Sequence, residues 1–100
     1  MQEFVRQFLG KYQLHTDAET RYIDLVSEIG ELGKEIISAT DYGKMDFASN
    51  ARVGGEMGDC LFPLLALCCA TDVDADESLQ KAMAKYERRF AQKADISSDR

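Results

Sequence analysis

Acidic side chains recur three residues apart in two stretches of the sequence, a spacing that could support metal chemistry. The first stretch contains Glu28 and Glu31, and the second contains Glu56 and Asp59. Residues three apart share a face of an α-helix, so each pair would place two carboxylates side by side. Such like charges repel each other, more strongly beside a core, where desolvation disfavours the charged form. Hard divalent cations, which prefer oxygen ligands, would offset this repulsion.

The two acid pairs, if they lie on facing helices, form a site suited to phosphate chemistry. Mg²⁺ demands near-octahedral oxygen coordination and usually takes waters or substrate phosphates as its remaining ligands. Metal ions in such a site would polarise a phosphoryl oxygen, activate an attacking water and hold the leaving group. The alternative is an acidic helix face that is simply solvated.

Hydrophobic periodicity predicts the helix that carries the first pair. On a wheel of about 100° per residue, an apolar stripe spans about 40° on either side of Leu25. A second stripe, of acids, lies between about 240° and 300° along one edge of the first. The apolar stripe consists of Leu25, Ile29, Leu32 and Ile36, and the acidic stripe of Asp24, Glu28, Glu31 and Glu35.

The rest of the chain also indicates helices, and no run of alternating residues indicates a strand. We predict helices at about 2–12, from a capping box beginning at Thr16 to about 38, at 50–70, and from an Asp74 cap to about 94. Residues 40–49 are predicted to form a loop or short turn. The fold class is therefore all-α, a four-helix bundle-like arrangement.

The third predicted helix is apolar almost all round after Cys60, which is typical of a fully buried helix. Pro63 inside it predicts a kink at the turn that carries Asp59, with a kink that serves packing alone as the alternative. The core stripe predicted for the fourth helix consists of Leu79, Met83, Tyr86 and Phe90.

Length, composition and charge bound the class of protein. A chain of 100 residues with 45% hydrophobic residues is expected to be one domain, 1–100, with a flexible tail at 95–100. The net charge of −6 argues against nucleic acid or an anionic membrane as the main partner. An acidic protein can still bind an anionic substrate when metal ions invert the local charge.

The cysteines and the apolar runs indicate a cytoplasmic protein. Cys60, Cys68 and Cys69 lie in an apolar run without a Cys-x-x-Cys pattern, so we expect reduced core residues. That run, 60–70, is shorter than the roughly 20 residues that a membrane span needs. The N-terminus lacks the features of a signal peptide.

The motifs resemble those of a known family, the MazG-like all-α nucleoside triphosphate pyrophosphohydrolases. The family pattern of Glu-x-x-Glu followed by Glu-x-x-Asp is matched by residues 28–31 and 56–59. The late segment 85–90, Lys-Tyr-Glu-Arg-Arg-Phe, is also similar, so the resemblance covers about 22–90. It implies Mg²⁺-dependent hydrolysis of a (deoxy)nucleoside triphosphate between the α- and β-phosphates, with Mn²⁺ as a substitute cation.

The resemblance also implies roles for individual residues. The implied metal ligands are Glu28, Glu31, Glu56 and Asp59, and the implied catalytic residues are Glu28, Glu31, Glu35 and Lys85. Glu35 would orient or deprotonate the attacking water. Lys85 would contact phosphate, helped by Arg89. Arg52, one turn before Glu56, is a further phosphate candidate, with a surface salt bridge as the alternative.

Several features leave alternatives open. Ser27 stands where many family members have Glu, and Tyr86 where they have Asn. Lys85 lies nearly opposite the core stripe of its helix, so either the helix packs on two sides or the lysine completes a neighbouring subunit's site. Both favour a homo-oligomer, a dimer or a tetramer, and a solvated basic face is the alternative. Glycines inside the acidic helices indicate close packing or room for substrate: Gly30, Gly33, Gly55 and Gly58.

Two other functions compete with the enzyme. A carboxylate-bridged di-iron bundle uses Glu-x-x-His motifs, and the only histidine, His15, lies outside both acidic stretches. A non-catalytic helical module that serves as a regulator or interaction partner would also fit the fold. The base and sugar of the substrate are not specified by the motifs.

Overall fold

The computed structural model of the protein describes residues 1–15 and 17–98, with side chains through residue 93. This part of the chain contains four α-helices and no β-strand. The helices are α1 (Gln2–Lys11), α2 (Ala18–Ser38), α3 (Ala51–Ala70) and α4 (Ala75–Ser98). The all-α class and the order of four helices are confirmed. Helix α4 runs about four residues beyond its predicted end.

Side-chain caps explain where three of the helices begin. Asp17 Oδ1 accepts a hydrogen bond of 2.8 Å from the backbone N–H three residues on, which starts α2. Asn50 caps α3, and Asp74 Oδ1 caps α4 through a 3.0 Å bond. Such caps satisfy N–H groups that have no partner within the helix. The predicted cap of α2, Thr16, lies outside the described residues, and Asp17 has that role.

Helix α3 lies at the centre of the packed part of the chain. Both α1 and α2 pack against it. The core joins Val5 of α1 to Leu65 and Ala66 of α3, with Leu9 and Phe62 packed against them. Burial of these apolar side chains is what holds α1 onto α3, because a helix of ten residues is marginal by itself in water.

Helix α4 extends away from the other three helices and does not close a bundle within one chain. The molecule measures 58 × 38 × 21 Å and its radius of gyration is 17.9 Å, against about 13 Å for a compact domain of this length. The stripe predicted as core on α4 is exposed, because no other helix in the described part of the chain covers it. It consists of Leu79, Met83, Tyr86 and Phe90.

Helix α3 is also less buried than its composition predicted. Met57, Leu61 and Leu64 are each more than two-fifths exposed, because none of the helices described here covers that face. They line, with apolar side chains of α2, a cavity of about 410 Å³. Within the described residues, α3 alone is long and apolar enough to cross a membrane; this is weak evidence, since core helices of soluble proteins meet the same criterion. The helix continues through Pro63, which is buried.

The first helix anchors the turn between α3 and α4. The side-chain amide of Gln2 donates a 2.7 Å hydrogen bond to the carbonyl of Val73 and accepts one of 2.7 Å from the N–H of Ala75. Both backbone groups belong to the connection or to the first turn of α4. The direction in which α4 leaves the packed helices is therefore tied to α1.

The connection between the two acidic helices forms a turn, as predicted. Thr40 Oγ1 donates to the carbonyl of Ile37 and accepts from the N–H of Gly43. Asp41 and Tyr42 have positive φ, 47° and 58°, a conformation that is costly for residues with a Cβ atom. The turn brings the chain from the end of α2 back to the start of α3.

Candidate metal centre

Helices α2 and α3 bring three carboxylates together. Glu28 of α2 and Glu56 and Asp59 of α3 each offer an oxygen, and these oxygens all lie within 4.8 Å of one another. Glu56 and Asp59 share a face because they are three residues apart, and the packing of α2 on α3 places Glu28 opposite them. The predicted convergence of the two acidic stretches is seen for these three residues.

Glu56 is the least solvated member of the group. Its Oε2 atom is buried and has no hydrogen-bond partner among the described residues. Desolvation is the largest cause that raises the pKa of this carboxyl above its usual 4.5, followed by the charges of Asp59 and Glu28 and then of Glu31 and Glu35. A buried carboxylate oxygen without a partner is costly. The arrangement is therefore electrostatically unfavourable until a positive group joins it.

The donor set fits a hard divalent cation. Three carboxylates supply only oxygen ligands and three negative charges, which suits Mg²⁺ or Mn²⁺ rather than a metal that prefers sulfur or imidazole. The group leaves coordination positions for water or substrate oxygens. The orphaned oxygen of Glu56 is the particular observation that a bound cation would account for.

The remaining predicted acids border this group without belonging to it. Glu31 is exposed, and its carboxylate lies 3.9 Å from the ammonium of Lys34. Glu35 is half-buried two turns after Glu28. Both are close enough that their charges raise the pKa of Glu56. Glu31 and Glu35 therefore lie near the cluster without belonging to it.

The predicted phosphate-binding cations are not seen with the acids in one chain. The Lys85 ammonium lies 5.2 Å and the Arg89 guanidinium 5.7 Å from the ring centre of Tyr86, on their own helix. Helix α4 makes few contacts with α2 or α3. Arg52 is exposed, and no ion pair joins it to a described residue. Their roles remain predictions.

Arg21 is a charged residue near the site that the sequence reasoning missed. It is the only buried charged residue in the described part of the chain, 8% exposed, and with Glu28 and Asp59 it lines a cleft of about 460 Å³. Its position seven residues before Glu28 places it on the same helix face. That heptad spacing is the signal that could have identified it.

The surroundings of the cysteine beside the cluster favour its neutral thiol. Cys60 is half-buried, and desolvation followed by the charges of Glu28, Glu56 and Asp59 raises the pKa of its thiol. The thiolate is the form that binds metals. All three cysteines are free, as predicted, and the candidate centre is made of oxygen ligands alone.

The glycines of the acidic helices do not serve close packing within the chain. A Cβ atom built at Gly30 or at Gly55 would meet no other atom within 4 Å. The same holds at Gly33 and Gly58. Gly55 lies one turn before Asp59, so the space beside it adjoins the carboxylate cluster.

We therefore expect Gly55→Ala to raise the melting temperature and to weaken substrate binding. The change removes a glycine from an exposed helix interior, worth up to about 1 kcal/mol, or roughly 4–8 °C in a domain of this size. The control is Gly30→Ala, which lies about 130° from the acidic stripe of α2 and should give the same gain without weaker binding. Thermal melts and KM values for both variants decide this. Unchanged KM in Gly55→Ala would mean that the space is not used by substrate.

Comparison with known proteins identifies a family whose model covers most of the chain. The family model for the MazG nucleotide pyrophosphohydrolase domain matches residues 17–92, which include α2, α3 and most of α4. No curated protein and no solved structure matches the chain. The matched range contains all three clustered carboxylates.

Proposed function

The chain belongs to the MazG nucleotide pyrophosphohydrolase domain family, and from this premise we propose that it is an Mg²⁺-dependent nucleoside triphosphate pyrophosphohydrolase. The reaction consumes one water and one (deoxy)nucleoside triphosphate and yields the monophosphate and pyrophosphate. The observation that carries the proposal is the group of Glu28, Glu56 and Asp59, whose oxygens converge within 4.8 Å.

The residues of the chain have distinct roles in this proposal. Glu28, Glu56 and Asp59 hold the cation, with Glu31 completing the ligand set from the edge of the cluster. Bound Mg²⁺ supplies charge that polarises the phosphoryl group and lowers the pKa of water. Glu35, half-buried beyond Glu31 on the same helix face, orients the attacking water and accepts its proton.

The first test is a panel of nucleoside and deoxynucleoside triphosphates assayed with Mg²⁺. We expect pyrophosphate and the monophosphate as products, loss of turnover with EDTA, and recovery on adding Mg²⁺ or Mn²⁺, because the clustered carboxylates cannot act on a polyanion alone. Product identity is read by separate assays for pyrophosphate and orthophosphate. Orthophosphate as the first product would contradict the proposed bond. Inactivity on the whole panel would favour the non-catalytic regulatory module.

We also propose that the protein acts as a homo-oligomer in which α4 covers an apolar face of another copy. Two exposed apolar surfaces support this. One is the α4 stripe of Leu79, Met83, Tyr86 and Phe90, and the other is the cavity between α2 and α3. Contiguous exposed apolar surface is costly in water and is typical of interfaces. A 100-residue chain that leaves both uncovered is expected to be only marginally stable by itself.

The extended shape of the chain suits this assembly and bears on Lys85. Because α4 leaves the packed helices, its basic residues can reach the acids of a neighbouring copy more readily than those of their own chain. Lys85 of one copy would then contact a substrate phosphate bound at another copy's carboxylates. Mg²⁺ between the acids and the phosphates would make that juxtaposition favourable.

A further inference from the structure

We propose that Arg21 binds a phosphate group of the triphosphate, an inference that rests on the proposed function and deepens it. Arg21 lies in the first turn of α2 and lines the same cleft as two of the clustered carboxylates, Glu28 and Asp59. The residues that line this cleft are Arg21, Asp24, Glu28, Asp59, Phe62 and Pro63.

The side chain of Arg21 is 10% exposed and has hydrogen-bond donors that are not used within the described residues. Its nearest carboxylate oxygen, on Asp24, is 3.6 Å from a guanidinium nitrogen, beyond hydrogen-bond distance. The guanidinium carbon lies 5.4 Å from the ring centre of Phe62, within the range of a cation–π contact. Among the described residues, no side-chain hydrogen bond involves Arg21. No nitrogen of Arg21 is among the buried side-chain atoms that lack a partner, so its donors remain accessible to water and to a ligand.

The geometry of α2 puts this cation at one end of a row of acids. Arg21, Glu28 and Glu35 are seven residues apart in turn, so they drift by only about 20° per step around the helix. Arg21 and Glu28 are separated by about 10 Å along the axis. A triphosphate that shares a cation with Glu28 and Asp59 therefore meets positive charge at the Arg21 end and proton acceptors at the Glu35 end.

The chemistry of the guanidinium suits a phosphate better than a lone carboxylate. Its planar fork presents five N–H donors and bonds two phosphate oxygens at once, so Asp24 can remain beside it. A buried position makes the hydrogen bonds stronger than they would be in bulk water. The cleft has room for a phosphate group, which would accept hydrogen bonds from these donors.

The test compares binding of Mg²⁺ alone with binding of magnesium pyrophosphate, both by calorimetry. For Arg21→Gln we expect unchanged or tighter Mg²⁺ binding, because a neighbouring positive charge is removed. Binding of magnesium pyrophosphate should weaken on the order of 10- to 100-fold, the loss of a charged hydrogen bond. Arg21→Lys should give an intermediate loss, since it keeps the charge and loses the fork.

The matched control is Lys11→Gln, which makes the same change of charge at the exposed end of α1. It should bind both probes as the wild-type protein does. Circular dichroism melts establish that each variant is folded. If Arg21→Gln does not fold, the binding measurements are made on Arg21→Lys instead. Wild-type affinity for magnesium pyrophosphate in folded Arg21 variants would overturn the role of Arg21 alone. A wild-type protein that binds neither probe would overturn the proposed function, and the role of Arg21 with it.

Discussion

Replacing Glu56 with glutamine should abolish Mg²⁺-dependent turnover and, in metal-free protein, raise the melting temperature. Glu56 is a proposed ligand, so the neutral amide removes one charge and one strong oxygen donor from the centre. The same residue has a buried, unpartnered oxygen and lies beside Asp59 and Glu28. Its ionised form therefore destabilises the metal-free fold, and removing that charge relieves the repulsion. Calorimetric melts with and without Mg²⁺, together with turnover, measure both effects.

The pH dependence gives this prediction a second readout. Because the folded-state pKa of Glu56 is raised, the stability that its carboxyl contributes is present below about pH 4.5 and is lost as pH rises through the folded-state pKa. The gain from Glu56→Gln should thus be largest near neutral pH and vanish in acid, where the wild-type carboxyl is also neutral. Glu19→Gln, on the exposed first turn of α2, is a matched control. A variant less stable than wild type at neutral pH without metal would contradict the electrostatic account.

Mixing two inactive variants should restore activity if α4 completes the site of another copy. We expect Lys85→Ala and Glu56→Gln each to be inactive alone, because each lacks one part of every site. When the two are unfolded and refolded together, mixed dimers contain one intact site, so about a quarter of all sites regain function. Turnover of the refolded mixture, compared with each variant refolded alone, measures this. Wild-type activity in Lys85→Ala would remove that residue from the site.

The assembly itself is tested by Met83→Asp, which places a charge in the exposed stripe of α4. The wild-type protein should have at least twice the 11.2 kDa mass of one chain in light scattering, and the variant should shift toward that mass and lose activity. Lys81→Asp, on a different face of α4, is the control and should remain assembled. A monomeric, active wild-type protein would contradict the interface. Association with lipid vesicles instead would indicate that a membrane covers the apolar faces.

The helices could be predicted from the sequence because their signals are local. Periodicity of apolar residues and capping by Asp74 depend only on nearby residues, and the predicted bounds of α3 agree with the observed ones within one residue. The burial of α3 and α4 was predicted less well. Apolar stripes show that a face must be covered, and they do not show whether the cover comes from the same chain. Leu79 and Leu64, expected in the core, are therefore exposed here.

In the candidate site, too, local features could be predicted from the sequence, and contacts between helices could not. The i, i+3 spacing of acids is a property of one helix, so the pairing of Glu56 with Asp59 followed directly from the sequence. Which acid of α2 comes nearest to them depends on the crossing of two helices, and Glu28 rather than Glu31 joins the group. The sequence did not identify Arg21 as a site residue, because a single arginine at the start of a helix resembles a surface residue. Its burial depends on Phe62, forty-one residues later in the chain.

The amide of Gln2 has a consequence for the reach of α4. Helix α4 contains 24 residues, so its C-terminal end lies about 36 Å from the turn to which the Gln2 side chain is hydrogen-bonded. A swing of about 10° at that turn displaces the far end by about 6 Å, more than one helical pitch. The two hydrogen bonds of Gln2 thus help to fix the position of the C-terminal end of α4. A small rotation of α4 at this turn becomes a much larger displacement at that end.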